Sequence, residues 1–175
     1  LDENNLVWFS ATFDLKNSNV VRSSNNEKAR FIYNALVSAS ELAAIKDQPC
    51  GRITTKLDFN KDWGLGSSST LIWSIASIFE IDPLKLHFHT SNGSGYDIVC
   101  AGTNKPIKYK LGKHKQPVYQ NVDWNPIFKD EIQFIYLNNK QNSEAEVNRF
   151  MDGTISDKDI FVINQLTDYI IACSD

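Results

Sequence analysis

The chain has 175 residues, of which 42% are hydrophobic and 22% charged, and a net charge of -3. That is the make-up of an ordinary globular protein, long enough for one large domain or two small ones. The slight acidity gives no general pull toward nucleic acid or anionic membrane surfaces, and no apolar run approaches the roughly 20 residues that span a bilayer.

The three cysteines, Cys50, Cys100 and Cys173, are an odd number without metal-ligand spacing. Two lie in apolar contexts, so buried free thiols in a reducing, cytoplasmic setting are expected. No signal-peptide pattern opens the chain, and the Asn92-Gly93-Ser94 sequon is discounted accordingly.

From Leu6 to Leu15 the residues alternate, with Val7, Phe9, Ala11, Phe13 and Leu15 on one face, which predicts a strand. Lys16 to Asn26 is rich in Asn and Ser and reads as a loop. Asn25 or Asn26 can cap a helix from Glu27 to about Lys46. Its Phe31, Ile32, Ala35, Leu36, Ala39, Leu42 and Ala43 recur at helical spacing and read as core. After Pro49 and Gly51, Arg52 to Phe59 alternates apolar and polar residues like a half-buried strand.

The segment Asp62-Trp63-Gly64-Leu65-Gly66-Ser67-Ser68-Ser69-Thr70 comes next, and Leu71, Ile72, Ile75, Ile78 and Phe79 then mark an amphipathic helix. A strand, a glycine turn and a helix in that order leave the first N–H groups of the helix unpaired at the positive end of its dipole. A phosphate is well placed there. Glycine allows close backbone approach, and serine hydroxyls bind phosphate oxygens or magnesium. A serine run also serves as the N-terminal cap of helices that bind nothing, and the residues alone leave both readings open.

Asp82-Pro83 starts a short helix through Leu86, and His87 to Asn92 reads as a loop. Its two histidines stand two apart but lack the further ligands a metal needs. Gly93-Ser94-Gly95-Tyr96-Asp97 leads into a short helix from Ile98 to Ala101, ending at Gly102. Asp97 is either the capping carboxylate of that helix or a catalytic one. Pro106–Leu111 and Pro117–Val122 form a predicted hairpin. Its turn, Gly112 to Lys115, lacks the Ser or Thr after Lys113 that a Walker motif requires, and His114 within it reads as solvated.

Asp123 to Pro126 reads as a connector at a domain boundary, and Ile132 to Leu137 as a strand. Ser143 is expected to cap a helix running through Val147 and Phe150, and Ser156 to Asp159 to start another ending near Cys173. Strands and helices alternate irregularly, with hairpins, so the expected class is α+β rather than a doubly wound parallel sheet.

Two of these stretches carry a family resemblance. Gly64-Leu65-Gly66-Ser67-Ser68-Ser69 resembles the phosphate-binding Gly-Leu-Gly-Ser-Ser-Ala motif of the GHMP kinases, the group of galactokinase, homoserine kinase, mevalonate kinase and phosphomevalonate kinase. Ser69 replaces the alanine, and Asn60, Lys61 and Asp62 stand where a proline is usual. Gly93-Ser94-Gly95-Tyr96-Asp97-Ile98 is similar to the Gly-Ser-Gly-x-Asp segment that carries the catalytic aspartate in the mevalonate and phosphomevalonate kinases. Tyr136 to Gln141 is similar to the opening of the family's second domain.

The resemblance implies a ribosomal-protein-like, ATP-binding domain over residues 1–125 and part of a ferredoxin-like domain over 126–175. The family's C-terminal glycine motif and N-terminal lysine and glutamate segment have no match here. The chain is therefore expected to be the middle of a kinase or to lack its ends, and not to turn over by itself.

What the resemblance implies about function is an ATP-dependent kinase that moves the γ-phosphate to a hydroxyl or phosphate of a metabolite. Mevalonate or phosphomevalonate is favoured over a sugar, with ATP and Mg2+ as cofactors and no nucleic-acid or membrane partner. Gly64, Leu65, Gly66, Ser67, Ser68 and Ser69 would hold the phosphates, and Ser68 would bind the magnesium. Asp97 would be the base or electrostatic anchor for the acceptor hydroxyl, with Ser94, Gly95 and Tyr96 adjoining the acceptor. The family's second metal ligand is a glutamate upstream of the aspartate. That region is Leu86, His87 and Phe88 here, and Glu80 lies further back as a substitute. A non-catalytic nucleotide or metabolite sensor of the same fold and an RNA-binding module are the alternative classes. The acidic balance argues against RNA.

Overall fold

The computed structural model describes residues 1–45, 50–112, 116–138, 149 and 156–173. Helices and two small antiparallel hairpins make it a mixed α+β structure. It divides into two compact units, Leu1–Gly102 and Thr103–Asp175.

In the first unit, β1 (Ala11–Asp14) pairs antiparallel with β2 (Asn19–Ser23), with Phe13 opposite Val20. The expected strand from Leu6 therefore begins only at Ala11, and β2 occupies a stretch expected to be loop. The Asp14 carboxylate accepts from the Asn17 backbone and side-chain amides at 3.0 and 2.7 Å, closing the turn between the strands. Polar turn residues at both ends hid the short return strand. Arg52 to Phe59 forms no strand at all. Its contacts with the chain terminus are a bond from the Leu1 amine to the Thr55 carbonyl and one from Leu57 N–H to the Leu1 carbonyl, at 2.6 and 3.1 Å. Alternation marks a segment able to join a sheet, but the ladder needs a neighbouring strand.

Helix α1 (Asn26–Leu42) starts where Asn25 Oδ1 accepts from Lys28 N–H at 3.0 Å, and it ends short of the expected Lys46. Ala44 beyond it has a φ of 51°, which stops helical propagation. Helices α2 (Ser67–Ile78), α3 (Pro83–Thr90) and α4 (Tyr96–Ala101) follow. Asp82 caps α3 by accepting from Leu84 and Lys85 N–H. Pro83 pre-sets its first turn. The helix runs on through Thr90, so His87 and His89 lie within it and not in a loop.

One core joins these helices: Ala35, Leu36 and Ala39 from α1, Ile72, Ile75 and Ala76 from α2, Leu86 from α3 and Ile98 from α4. Alanines on α1 let its backbone approach closely. The expectation of buried thiols is overturned, because Cys50 and Cys100 are exposed and Cys173 is half-buried. On α4, Cys100 sits two positions from buried Ile98, roughly 200° around the helix, and so faces away from the core.

In the second unit, β3 (Ile107–Leu111) and β4 (Pro117–Asn121) form the expected hairpin, with Tyr109 opposite Tyr119 and their rings stacked at 6.3 Å. Helix α5 (Asp157–Ala172) begins with a capping box between Ser156 and Asp159. Trp124 Nε1 donates to the Ile170 carbonyl at 2.9 Å, and Lys108 pairs with Asp168, which together anchor α5. Ile132 to Leu137 forms no strand; it follows a single 3-10 turn, Lys129–Glu131. The turn at 113–115 and, apart from Arg149, the helix expected from Ser143 to Phe150 lie outside the described residues. Among the described residues, no helix is long and apolar enough to cross a membrane.

Candidate functional site

Two glycine turns, each opening a helix, carry the residues singled out by the sequence. In the first, Gly64 and Gly66 take φ values of 75° and 78°, a left-handed conformation that only glycine adopts without strain. Asn60 bends the chain into this turn. Its carbonyl accepts from Trp63 N–H at 3.1 Å and its side chain from Asp62 N–H at 2.9 Å.

Gly66 is the N-cap residue of α2 and offers no side chain to the helix end. Ser67, Ser68 and Ser69 are the first three helical residues, so the reading of the serine run as an ordinary cap does not hold. Thr70 N–H bonds the Gly66 carbonyl at 3.0 Å, and Thr70 Oγ1 also turns back to that carbonyl. The backbone N–H groups of Ser67, Ser68 and Ser69 have no acceptor among the described residues. Ser69 is 9% exposed. A Cβ placed on Gly66 would lie 3.6 Å from Ser69 Oγ, so this hydroxyl faces the turn. Trp63 and Leu65, on either side of Gly64, are exposed.

In the second turn, Gly95 has a φ of 81° and is the N-cap of α4. Asp97 is therefore the second helical residue, and the alternative reading of it as the cap is corrected. Its side chain is exposed, one turn before Cys100. The Tyr96 phenol is held above its ordinary pKa, first by a hydrogen bond to the Asp97 carboxylate and then by its charge. Burial, and then the Asp97 charge, push the Cys100 thiol upward, which disfavours the thiolate and any nucleophilic role for it.

The Gly93–Gly95 turn lies flat on α3. A Cβ on Gly93 would lie 3.3 Å from the His87 ring, and one on Gly95 would lie 2.9 Å from Leu84 Cδ2 and 3.2 Å from Phe88 Cζ. Helix α4 also packs on α2, where Gly102 abuts the Trp73 indole. Both turns thus belong to one unit and one core, and Ser94, Gly95, Tyr96 and Asp97 form a contiguous corner over α3.

Glu80 does not suit the role of second metal ligand. It follows α2 while Ser68 is in its first turn, so at about 1.5 Å rise per residue the two stand about 18 Å apart. Magnesium ligands lie about 2 Å from the ion. Among the described residues, no group of three or more His, Cys, Asp or Glu could hold a metal. The donor set does fit the phosphates of a nucleotide: three unpaired N–H groups, a helix dipole and hydroxyls. A magnesium ion there would take Ser68 and phosphate oxygens and keep most of its waters, as this ion commonly does.

A surface groove of about 390 Å³ lies elsewhere, on α1, lined by Asn26, Glu27, Arg30, Phe31 and Asn34. Sequence reasoning passed over it, and it passed over the Leu84, His87 and Phe88 platform, whose role depends on tertiary contact. No protein-family model, curated protein or solved structure matches the chain.

Proposed function

We propose that the protein is an ATP-dependent small-molecule kinase of the GHMP type, with a ribosomal-protein-like domain followed by a ferredoxin-like region. It acts in the cytoplasm on a metabolite and not on nucleic acid or a membrane. The observation that carries this reading is the left-handed turn at Gly64 and Gly66, after which the N–H groups of Ser67 to Ser69 have no acceptor among the described residues. Asp97 supports it from the same unit, held by a second left-handed glycine.

ATP supplies the phosphoryl group and Mg2+ neutralises its charge. The backbone of Ser67 to Ser69 and the α2 dipole bind and orient the phosphates. Asp97 accepts or aligns the acceptor's hydroxyl proton, and Tyr96 and Ser94 border the acceptor. Phosphoryl transfer depends mostly on such positioning and electrostatics. Mevalonate- or phosphomevalonate-like acceptors are favoured by the Gly-Ser-Gly-Tyr-Asp sequence.

The test is ADP release by the full-length protein, measured with mevalonate, phosphomevalonate and a set of sugars, for the wild type and Asp97→Asn. Asparagine keeps the size and removes the charge. The expected loss in kcat is on the order of 100- to 10,000-fold, with ATP affinity unchanged. Near-wild-type kcat in Asp97→Asn would remove Asp97 from the mechanism. A second reading, nucleotide binding without catalysis, is favoured by the distance between Glu80 and Ser68. It predicts ATP binding with no ADP release for any acceptor.

A further inference from the structure

Helix α5 carries no buried residue. What holds it to its own unit lies on one side: Lys108 pairs with Asp168, and Thr167 and Ile171 are half-buried. Leu166 stands about 160° around the helix from Asp168 and is 55% exposed. Val162, Ile163, Tyr169 and Ile170 lie within about 60° of Leu166, and all four are exposed. Ile160 and Phe161, exposed as well, fall outside this stripe. An amphipathic helix ordinarily turns its apolar stripe toward its own core. Here the side bearing Asp168 meets the hairpin, and the apolar stripe is left in water.

The order of the stripe fits a second copy of itself. Its members stand three and four residues to either side of Leu166, so the pattern reads alike in both directions. A two-fold axis at Leu166 sets Val162 against Ile170 of the second copy and Ile163 against its Tyr169, an isologous contact. Asp159 and Cys173, seven residues to either side, continue the same stripe. Antiparallel pairing places Asp159 against Cys173 of the second copy. Parallel pairing would bring two carboxylates face to face, which is unfavourable. From Ile160 to Cys173 the stripe bears no charge, so antiparallel copies meet there without repulsion. The exposed parts of the five side chains amount to roughly 550 Å² per copy. Two copies would cover about 1,100 Å², above the roughly 1,000 Å² of a specific interface.

We infer that α5 is a self-association helix, through which two copies of the chain pair antiparallel about Leu166. This is independent of the phosphate reading of the glycine turn.

Sedimentation velocity of the full chain tests it, over about 1–100 µM, the range in which an interface of this size is expected to hold. The wild type should sediment at twice the mass of one chain. Leu166→Glu sets two charges against each other at the axis and should raise the dimer dissociation constant at least about 100-fold. Asn164→Glu adds the same charge on the opposite side of the helix and should leave the dimer intact. Circular dichroism checks that each variant keeps its helix content. Val162→Glu and Ile170→Lys should each be monomeric alone and form a mixed dimer when combined, a result that an unfolded variant cannot give. A wild-type monomer throughout the range, or an open-ended aggregate, would overturn the inference. So would a dimer that survives Leu166→Glu, or one lost equally in Asn164→Glu. Failure of Val162→Glu and Ile170→Lys to pair would refute the antiparallel register.

Discussion

The tightest structural constraint near Asp97 is Gly95, and replacing it with alanine separates two costs. The first is conformational: at a φ of 81° a residue with a Cβ pays about 1–2 kcal/mol. The second is steric, since the new methyl would sit 2.9 Å from Leu84 Cδ2 and 3.2 Å from Phe88 Cζ, and overpacking of this kind costs about 1–3 kcal/mol. Leu84 Cδ2 is the end of a flexible side chain and yields in part, so a total near 3 kcal/mol is expected. For a domain of the size of Leu1–Gly102 this lowers the melting temperature by about 10–25 °C. Gly64→Ala is the control. Its φ of 75° carries the same conformational cost, but a Cβ there meets nothing within 4 Å, so the loss should stay near 1–2 kcal/mol. Urea unfolding of the full chain, followed by circular dichroism, measures both. Equal losses in the two variants would show that the turn does not rest on α3, and a silent Gly95→Ala would refute the left-handed conformation itself.

Gly66→Val should leave the chain folded, weaken it by about 1–2 kcal/mol through its φ of 78°, and abolish detectable ATP binding in calorimetry; unchanged affinity would sink the assignment of the loop. At α5, the Ser156 side chain first, and its backbone N–H second, hold Asp159 below its ordinary pKa of 3.8. A depressed carboxylate contributes stability above its unfolded value that is lost as pH falls through the lower folded value, so α5 should hold above pH 3.8 and weaken in stronger acid. In Ser156→Ala an NMR titration should move Asp159 part of the way back toward 3.8, because the backbone bond remains; an unmoved Asp159 would show that the hydroxyl bond is not the main cause.

Features that depend on a few adjacent residues were legible from the chain alone. Asn25, Asp82-Pro83 and Ser156 with Asp159 mark helix starts because a side chain and the N–H groups it caps lie within one turn. The β3–β4 hairpin and the two glycine turns are equally local, since φ preference belongs to the residue itself. The α+β class followed from the order of such elements.

What the tertiary structure decided involves groups far apart in sequence. Arg52 to Phe59 and Ile132 to Leu137 have strand-like patterns, yet no strand among the described residues pairs with them. The exposure of Cys100 depends on which face of α4 meets the core, and Gly95 is confined by Leu84 and Phe88 of another helix. Glu80 was a plausible metal ligand until a straight α2 placed it at the wrong end. Local preference selects a backbone conformation residue by residue, whereas burial, ladder hydrogen bonds and distances between side chains exist only once separate segments have packed together.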